Sequence, residues 1–124
     1  MYTEITNETW ESFVYDTKYK IHASLPFVVL PQKCIWSNDE VTVYCARSKA
    51  LSQHAPDDWY QGLVSFTDSL WKINLETLEQ TQISDLKPDE QTDIDLINPH
   101  LSQNEDYFVF TNKKDLSLWA IPTK

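Results

Sequence analysis

The sequence of 124 residues contains a single glycine, Gly62, and this scarcity excludes one class of phosphate-binding site. Loops that cradle phosphate groups with backbone N–H donors contain several glycines, because glycine lets the backbone approach the phosphate closely. Long hydrophobic runs are also missing, since no stretch approaches the roughly 20 apolar residues that cross a bilayer as a helix. The sequence therefore predicts neither a Gly-rich nucleotide site nor a membrane-spanning helix.

Basic residues are few. The chain has 10 Lys and Arg against 19 Asp and Glu, which gives a formal net charge of −9. Binding to nucleic acid or to an anionic membrane surface requires clustered positive charge. We therefore expect no nucleic-acid partner and no direct membrane insertion. An acidic surface of this kind either serves solubility or attracts a basic partner.

A recognisable set of catalytic residues is also lacking. The three histidines, His22, His54 and His100, are scattered along the chain, and none has the spacing of a metal site. The Gly-x-Ser-x-Gly motif that presents a nucleophilic serine is missing as well. We predict that the protein is not an enzyme and that it holds no metal and no cofactor.

Strand signals dominate what is present. Hydrophobic residues make up 41% of the chain and aromatic residues 13%, which is enough for an apolar core. Runs of β-branched and aromatic residues separated by polar turns are typical of antiparallel strands. These runs are 12–15, 26–30, 34–36, 41–46, 62–66, 69–75, 80–83, 97–101, 107–110 and 118–121. Trp36, Trp71 and Trp119 lie at alternating strand positions, and we expect all three in the core.

The longest irregular segment is a loop over 47–62. It contains two carboxylates beside two aromatic rings, in the order Asp57, Asp58, Trp59, Tyr60. Recognition residues concentrate on loops held by a rigid scaffold, and aromatic residues are enriched at binding hot spots. We predict these four residues as a binding surface. The alternative is that Trp59 and Tyr60 fill the space between neighbouring β-units.

Two β-units in the chain repeat each other. Ser69-Leu70-Trp71-Lys72-Ile73 recurs as Ser117-Leu118-Trp119-Ala120-Ile121. Upstream of each copy, a strand, a turn of serine and acidic residues, and an aromatic strand follow in the same order, at 34–44 and at 100–110. Antiparallel strands joined by tight turns and repeated every few tens of residues are the sequence pattern of propeller blades.

Three short motifs are specific enough to suggest a family: Cys34-Ile35-Trp36-Ser37, Asp57-Asp58-Trp59-Tyr60-Gln61-Gly62 and Asn112-Lys113-Lys114-Asp115. With the residues around them, over roughly 27–121, they resemble the C-terminal blades of large secreted β-propeller proteins. Those proteins are WD40-like or TolB-like, mostly uncharacterised, and found in small-genome bacteria. They are several times longer than this chain. The resemblance implies a fold and a compartment rather than an activity.

We therefore predict an all-β fold of about two antiparallel, four-stranded, propeller-like blades. They form a single domain over 1–124, with blade elements at about 10–83 and 94–122. Closed propellers have four or more blades, so two blades leave an incomplete ring. Three alternatives remain open: a ring completed by oligomerisation, a fragment of a longer membrane-anchored protein, or a compact sandwich.

The two cysteines, Cys34 and Cys45, flank the predicted hairpin turn at 37–40 almost symmetrically. Counting inward from them makes Trp36 the cross-strand partner of Val43. Directly opposed residues in a non-hydrogen-bonded pair lie within reach of a disulfide. We predict a Cys34–Cys45 disulfide and with it an oxidising compartment, secreted or at the cell surface. The alternative is a pair of buried thiols in a cytosolic protein.

Two hypotheses about function follow from these features. The first is a non-catalytic extracytoplasmic module that binds or scaffolds through contacts with a protein or a surface polymer. The second is a small acidic inhibitor or adaptor, for example a nucleic-acid mimic, that binds a basic partner. Salt separates the two, because binding carried by exposed charges weakens steeply as ionic strength rises.

Overall fold

The computed structural model of the chain describes residues 2–6, 9–16, 21–25, 28–48, 59, 61, 67–86 and 93–123. Within these ranges ten strands form three antiparallel sheets, called A, B and C here in chain order. Sheet A contains β1 (Tyr2–Thr6), β2 (Thr9–Asp16) and β3 (Ile21–Ser24). Sheet B contains β4 (Cys34–Trp36), β5 (Thr42–Ser48), β6 (Asp68–Asn74) and β7 (Gln80–Ser84). Sheet C contains β8 (Leu96–Leu101), β9 (Tyr107–Asn112) and β10 (Leu118–Pro122).

Each sheet is a meander in which strands consecutive in the chain are hydrogen-bonded neighbours. The predicted all-β antiparallel class is confirmed. Over the residues that the structure describes, each sheet keeps two open edges and no closed ring forms. One turn of 3₁₀-helix, Pro31–Lys33, leads into β4 and carries a lysine into the interior.

The hairpin of β4 and β5 has the predicted register. Cys34 pairs with Cys45 and Trp36 with Val43, and the Ser37 N–H donates to the Thr42 carbonyl oxygen at 2.9 Å. A disulfide joins the two cysteines, whose Cα atoms are 4.1 Å apart. That separation belongs to the narrow, non-hydrogen-bonded kind of cross-strand pair. The register therefore follows from the four-residue turn, and the disulfide follows from the register.

The turns of sheets B and C repeat in detail. Glu40 and Glu105 occupy the same place in the β4–β5 and β8–β9 turns, with φ of 60° and 59°. Each donates its N–H to the carbonyl oxygen of the serine that opens its turn, Glu40 to Ser37 at 3.1 Å and Glu105 to Ser102 at 2.8 Å. The repeated serine-acidic sequence is therefore also a repeated backbone conformation.

The Ser-Leu-Trp repeat is structural as well. Trp71 and Trp119 lie on the third strand of their sheets, β6 and β10. The Trp71 Nε1–H donates to the Ser69 Oγ at 2.8 Å, and the Trp119 Nε1–H donates to the Ser117 Oγ at 2.7 Å. A serine two residues before the tryptophan lies on the same face of a strand, so one hydroxyl satisfies the indole N–H. Both copies use the same local solution.

Sheet B packs on both of its faces, and its strand β5 is buried on both sides. One face packs against sheet C in a cluster centred on Tyr44, Leu70 and Phe108. The opposite face carries Val43, Cys45 and Ile73 and packs against the segment that precedes β4. The remaining members of the first cluster are Ala46, Leu86, Ile94, Leu96 and Phe110. A strand buried on both faces reads as a continuous apolar run, as in β5.

The tryptophan prediction is wrong in one of its three positions. Trp71 and Trp119 are partly buried, whereas Trp36 is 42% exposed. Trp36 ends β4, a three-residue strand that lies at the edge of sheet B in the described part of the chain. Strand alternation alone does not tell an edge from a centre.

The N-terminal strands show a second difference. β1 and β3 were not predicted, and 28–30, in the run predicted as a strand, have no strand structure. The Val29 N–H donates to the Ser12 hydroxyl at 3.0 Å instead of joining a ladder. A side-chain hydroxyl can replace a sheet partner in this way. The predicted strand at 62–66 lies outside the described residues.

Asp39 in the β4–β5 turn is expected to make the stability of the fold depend on pH in the acidic range. The backbone N–H groups of Thr42 and Val41 and the Thr42 hydroxyl donate to its carboxylate, each at 2.8 Å. These bonds lower the pKa of Asp39 below its ordinary value of 3.8. A carboxylate whose pKa is lower in the folded state stabilises the folded protein at pH values above its pKa in the unfolded state. This stabilisation is lost as the pH falls through the pKa of the folded state.

We predict that Asp39→Asn lowers the melting temperature at pH 7 and flattens its fall on the acid side. Thermal unfolding at steps between about pH 7 and pH 2.5 measures both effects, because carboxylates titrate in this range. Glu76→Gln, which removes the same charge at an exposed position, is the matched control. Equal acid dependence in Asp39→Asn and the wild-type protein would contradict the assignment.

Candidate functional site

The predicted binding segment falls only partly within the described residues. Asp57, Asp58 and Tyr60 lie outside them. Trp59 is described and is 5% exposed. Its Nε1–H donates to both carboxylate oxygens of Asp95, at 2.8 and 3.0 Å. The Trp59 side chain therefore points into the protein, as in the alternative in which it fills space between β-units.

Two ammonium groups accompany the Trp59 ring. The Nζ of Lys33 is 4.9 Å from the ring centroid and the Nζ of Lys113 is 4.7 Å from it. Lys113 also donates to the Trp59 carbonyl oxygen. Cations over an indole face are attracted by its quadrupole, most strongly when water is excluded. These contacts anchor Trp59 to the segments around it.

Lys33 is completely buried, and its ammonium group has three acceptors. They are a carboxylate oxygen of Asp68, a carboxylate oxygen of Asp95 at 2.7 Å and the Leu96 carbonyl oxygen at 2.9 Å. Asp68 also accepts from the Ser48 hydroxyl at 2.7 Å and from the Leu96 N–H at 2.8 Å. All three charged side chains are fully buried.

This charged cluster connects three parts of the fold. Lys33 ends the 3₁₀ turn, Asp68 begins β6 of sheet B, and Asp95 immediately precedes β8 of sheet C. Because substrate cannot reach carboxylates enclosed by protein, the cluster has the properties of a structural junction. The sequence prediction missed it, since Asp68 and Asp95 are separated by 35 and 62 positions from Lys33 and the three residues share no local motif.

An open cleft lies where sheets B and C meet. Its volume is about 290 Å³, and Trp36, which lies opposite Val43 in the strand register and is 42% exposed, is one of the residues at its rim. Most of the other lining residues have side chains that form hydrogen bonds. The polar ones are Asn38, His100, Ser102, Gln103 and Glu105, and the apolar ones are Ile35 and Leu101. An aromatic face beside several donors and acceptors is suited to a ligand with both apolar and hydroxyl-bearing faces.

Glu105 is held in place within this cleft. Its carboxylate accepts from the Ser37 hydroxyl at 2.7 Å and from the Asn38 N–H at 2.6 Å. These bonds tie the β8–β9 turn to the β4–β5 turn, so both sides of the cleft keep their separation. Burial, helped by the nearby Glu105 and Asp39 carboxylates, raises the pKa of the Tyr44 phenol, which stays neutral beneath the cleft. The two turns form a rigid polar rim.

A larger cleft of about 590 Å³ is lined by residues of β5, β6 and β7 of sheet B and by the end of β10 of sheet C. Its lining includes Lys72, Asn74, Glu79 and Gln82, and no aromatic ring. Without an aromatic ring to stack on a ligand, such a surface offers mainly contacts that compete directly with water. The Trp36 cleft is therefore the better candidate for recognition, although it is smaller.

In the described part of the chain, no group of three His, Cys, Asp or Glu side chains is placed to hold a metal ion. The described residues also include no helix of the length and apolar character needed to cross a bilayer.

Comparison with known proteins assigns no family. No family model, no curated protein and no solved structure matches the chain. The resemblance to secreted propeller proteins therefore stays a prediction, and the function has to be argued from the geometry.

We predict that Lys33→Met lowers the free energy of unfolding by about 3–5 kcal/mol, because it leaves two buried carboxylates without their cation. Chemical denaturation measures the change. Lys72→Met, which removes an exposed lysine from the same sheet, is the matched control and is expected to change stability by less than about 0.5 kcal/mol. Similar losses in the two variants would contradict a central role for the cluster.

Proposed function

We propose that the protein is a non-catalytic, extracytoplasmic binding module built from propeller-like blades, and that the Trp36 cleft holds a surface polysaccharide. The observation that carries the proposal is an exposed tryptophan, 42% accessible, at the rim of a cleft otherwise lined mostly by hydrogen-bonding groups. A tryptophan has an apolar ring and a polar N–H, so an exposed one beside fixed polar groups is suited to recognition.

The blade assignment is supported by how the sheets stack. Sheets B and C are antiparallel meanders with matching turns, and they pack face to face around Tyr44, Leu70 and Phe108. Blades of a propeller pack in the same way, each covering the face of the next. The neighbouring β4 and β8 bring the first strands of B and C together, and the Trp36 cleft opens beside them.

The chemistry of the cleft favours a sugar polymer over a protein segment. Sugar rings present C–H faces that stack on an indole and hydroxyl groups that exchange hydrogen bonds with amides and carboxylates. The Glu105 carboxylate and the Asn38 and Gln103 side chains all line the cleft. Its volume of about 290 Å³ suits one or two sugar rings rather than a folded surface.

The negative charge of the protein argues against an anionic polymer as the ligand. The chain carries a net charge of −9, and Glu105 contributes a carboxylate to the cleft itself. An anionic polymer would be repelled at both long and short range. The proposed ligand is therefore an uncharged polysaccharide.

The proposed compartment rests on the disulfide. Cys34 and Cys45 are joined, and disulfides persist in oxidising compartments. Protein isolated from its native host without reductant, treated with an alkylating agent and weighed by mass spectrometry is expected to gain no alkyl group. Modification of both cysteines would contradict an extracytoplasmic location.

We predict that Trp36→Ala weakens binding to an uncharged polysaccharide by about tenfold or more, equivalent to about 1.4 kcal/mol. Calorimetric titration with purified soluble glucan, mannan and galactan measures this affinity. Leu78→Ala is the matched control, because Leu78 is exposed to the same degree, 41%, and lies outside the cleft. Its affinity should equal that of the wild-type protein.

Two results would overturn the polysaccharide assignment. One is an absence of binding to every uncharged polysaccharide in the panel. The other is equal loss in Trp36→Ala and Leu78→Ala, which would place the contact elsewhere. Retention on a polylysine column that disappears at high salt would instead support the acidic-adaptor alternative, motivated by the net charge of −9.

A further inference from the structure

The repeat relates each face of sheet B to a face of sheet C. Aligning the opening serines of the turns makes Tyr44 equivalent to Val109, and aligning the Ser-Leu-Trp motifs makes Leu70 equivalent to Leu118. Tyr44 and Leu70 belong to the face of sheet B that covers sheet C. Val109 and Leu118 therefore belong to the face of sheet C where a following sheet would pack.

The exposure of the two equivalent leucines differs greatly. Leu70 is 0% exposed, whereas Leu118 is 75% exposed. Both follow the serine whose hydroxyl accepts from a tryptophan indole, so the local structure is the same. The difference is that sheet C covers Leu70, whereas none of the sheets formed by the described residues lies over Leu118. The outer face of sheet C thus repeats the established B–C interface without its covering layer.

We propose that a second copy of this chain covers the outer face of sheet C, and that the two copies meet through this same face. We define the docking face by five residues, Tyr107, Val109, Thr111, Leu118 and Ala120. Leu118 lies opposite Thr111 in the strand register, and Ala120 lies opposite Val109. Two such faces packed together would form a sheet-on-sheet interface of the kind already present between B and C.

The charge of the chain favours this surface for self-association. A protein of net charge −9 repels its own copies, so contact is least costly where carboxylates are absent. The five side chains of the docking face are apolar or hydroxyl-bearing, and the neighbouring β8 residue, exposed His100 opposite Val109, adds no carboxylate. Contiguous apolar surface on a sheet, flanked by polar turns, is typical of an interaction site.

A head-to-tail arrangement is less favourable than a symmetric one. Its partner surface would be the outer face of sheet A, where Glu11 is exposed and lies opposite Glu4 in the strand register. Placing apolar Leu118 against such a face would desolvate a carboxylate without a partner. Two copies of the docking face avoid this cost, and two-fold symmetric dimers are the commonest oligomers.

The mass in solution tests the proposal directly. Sedimentation velocity of the wild-type protein from about 1 µM to about 200 µM, which brackets dimers of moderate affinity, is expected to show twice the chain mass at the upper end. Leu118→Lys should give a monomer throughout, because it places two buried ammonium groups at the interface. Leu78→Lys makes the same charge change at an exposed leucine outside the docking face and should still give a dimer.

A cross-link tests the symmetric arrangement. Ala120→Cys is expected to form a covalent dimer under mild oxidation, since exposed Ala120 would meet the same region of its partner. A wild-type monomer at every concentration, or a dimer that survives Leu118→Lys, would overturn the proposal. So would a dimer or ring in which Ala120→Cys is linked neither by oxidation nor by a long bis-maleimide reagent, because residues of a small symmetric interface stay within reach of their own copies. None of these experiments measures polysaccharide binding, so the dimer and the polysaccharide site are tested independently.

Discussion

The arrangement of sheets B and C depends on a buried ammonium group held between two buried carboxylates. Burying an ion costs several kcal/mol unless its partners are in place, so the Lys33–Asp68–Asp95 cluster is stable in only one relative placement of its three segments. That requirement aligns the turn before β4, the start of β6 and the entry to β8. Hydrophobic packing between the sheets supplies the larger favourable energy, but it tolerates sliding. The ionic cluster does not, because each charge must be satisfied at hydrogen-bond distance.

Features encoded within a few residues were predictable from the sequence. The polar turn at 37–40 sets the β4–β5 register, and this register brings Cys34 opposite Cys45. The Ser-Leu-Trp repeat was visible for the same reason, since its serine satisfies the indole two residues later. In each case the structure is caused by a local hydrogen bond or by the alternation of a strand. Both act within the few residues of the motif itself.

The charged cluster could not be predicted, because its members are brought together only by the packing of the sheets. Lys33 looks like an ordinary surface lysine, and Asp95 lies 62 positions away from it. An aspartate precedes each tryptophan motif, yet Asp68 is buried beside Lys33 while Asp115 is exposed in a turn. The exposure of Trp36 was missed for a related reason. Alternation assigns a residue to a face of a sheet, and only the neighbouring strands and sheets decide whether that face is covered.

The two proposals share one origin, an apolar side chain at a repeated position that has no covering layer. At Trp36 the uncovered ring stands among fixed hydrogen-bonding groups, so the site is suited to a small ligand; around Leu118 the uncovered face is broad and uncharged, so it is suited to another sheet. The cleft is lined by β4, β8 and the two serine turns, whereas the docking face belongs to β9 and β10. A symmetric dimer would therefore carry two open Trp36 clefts. Because a polysaccharide repeats its unit along its length, two linked clefts can bind one chain, and the second contact then forms at high effective concentration. Weak recognition of single sugars by a shallow cleft is compatible with firm retention on a polymer surface for this reason.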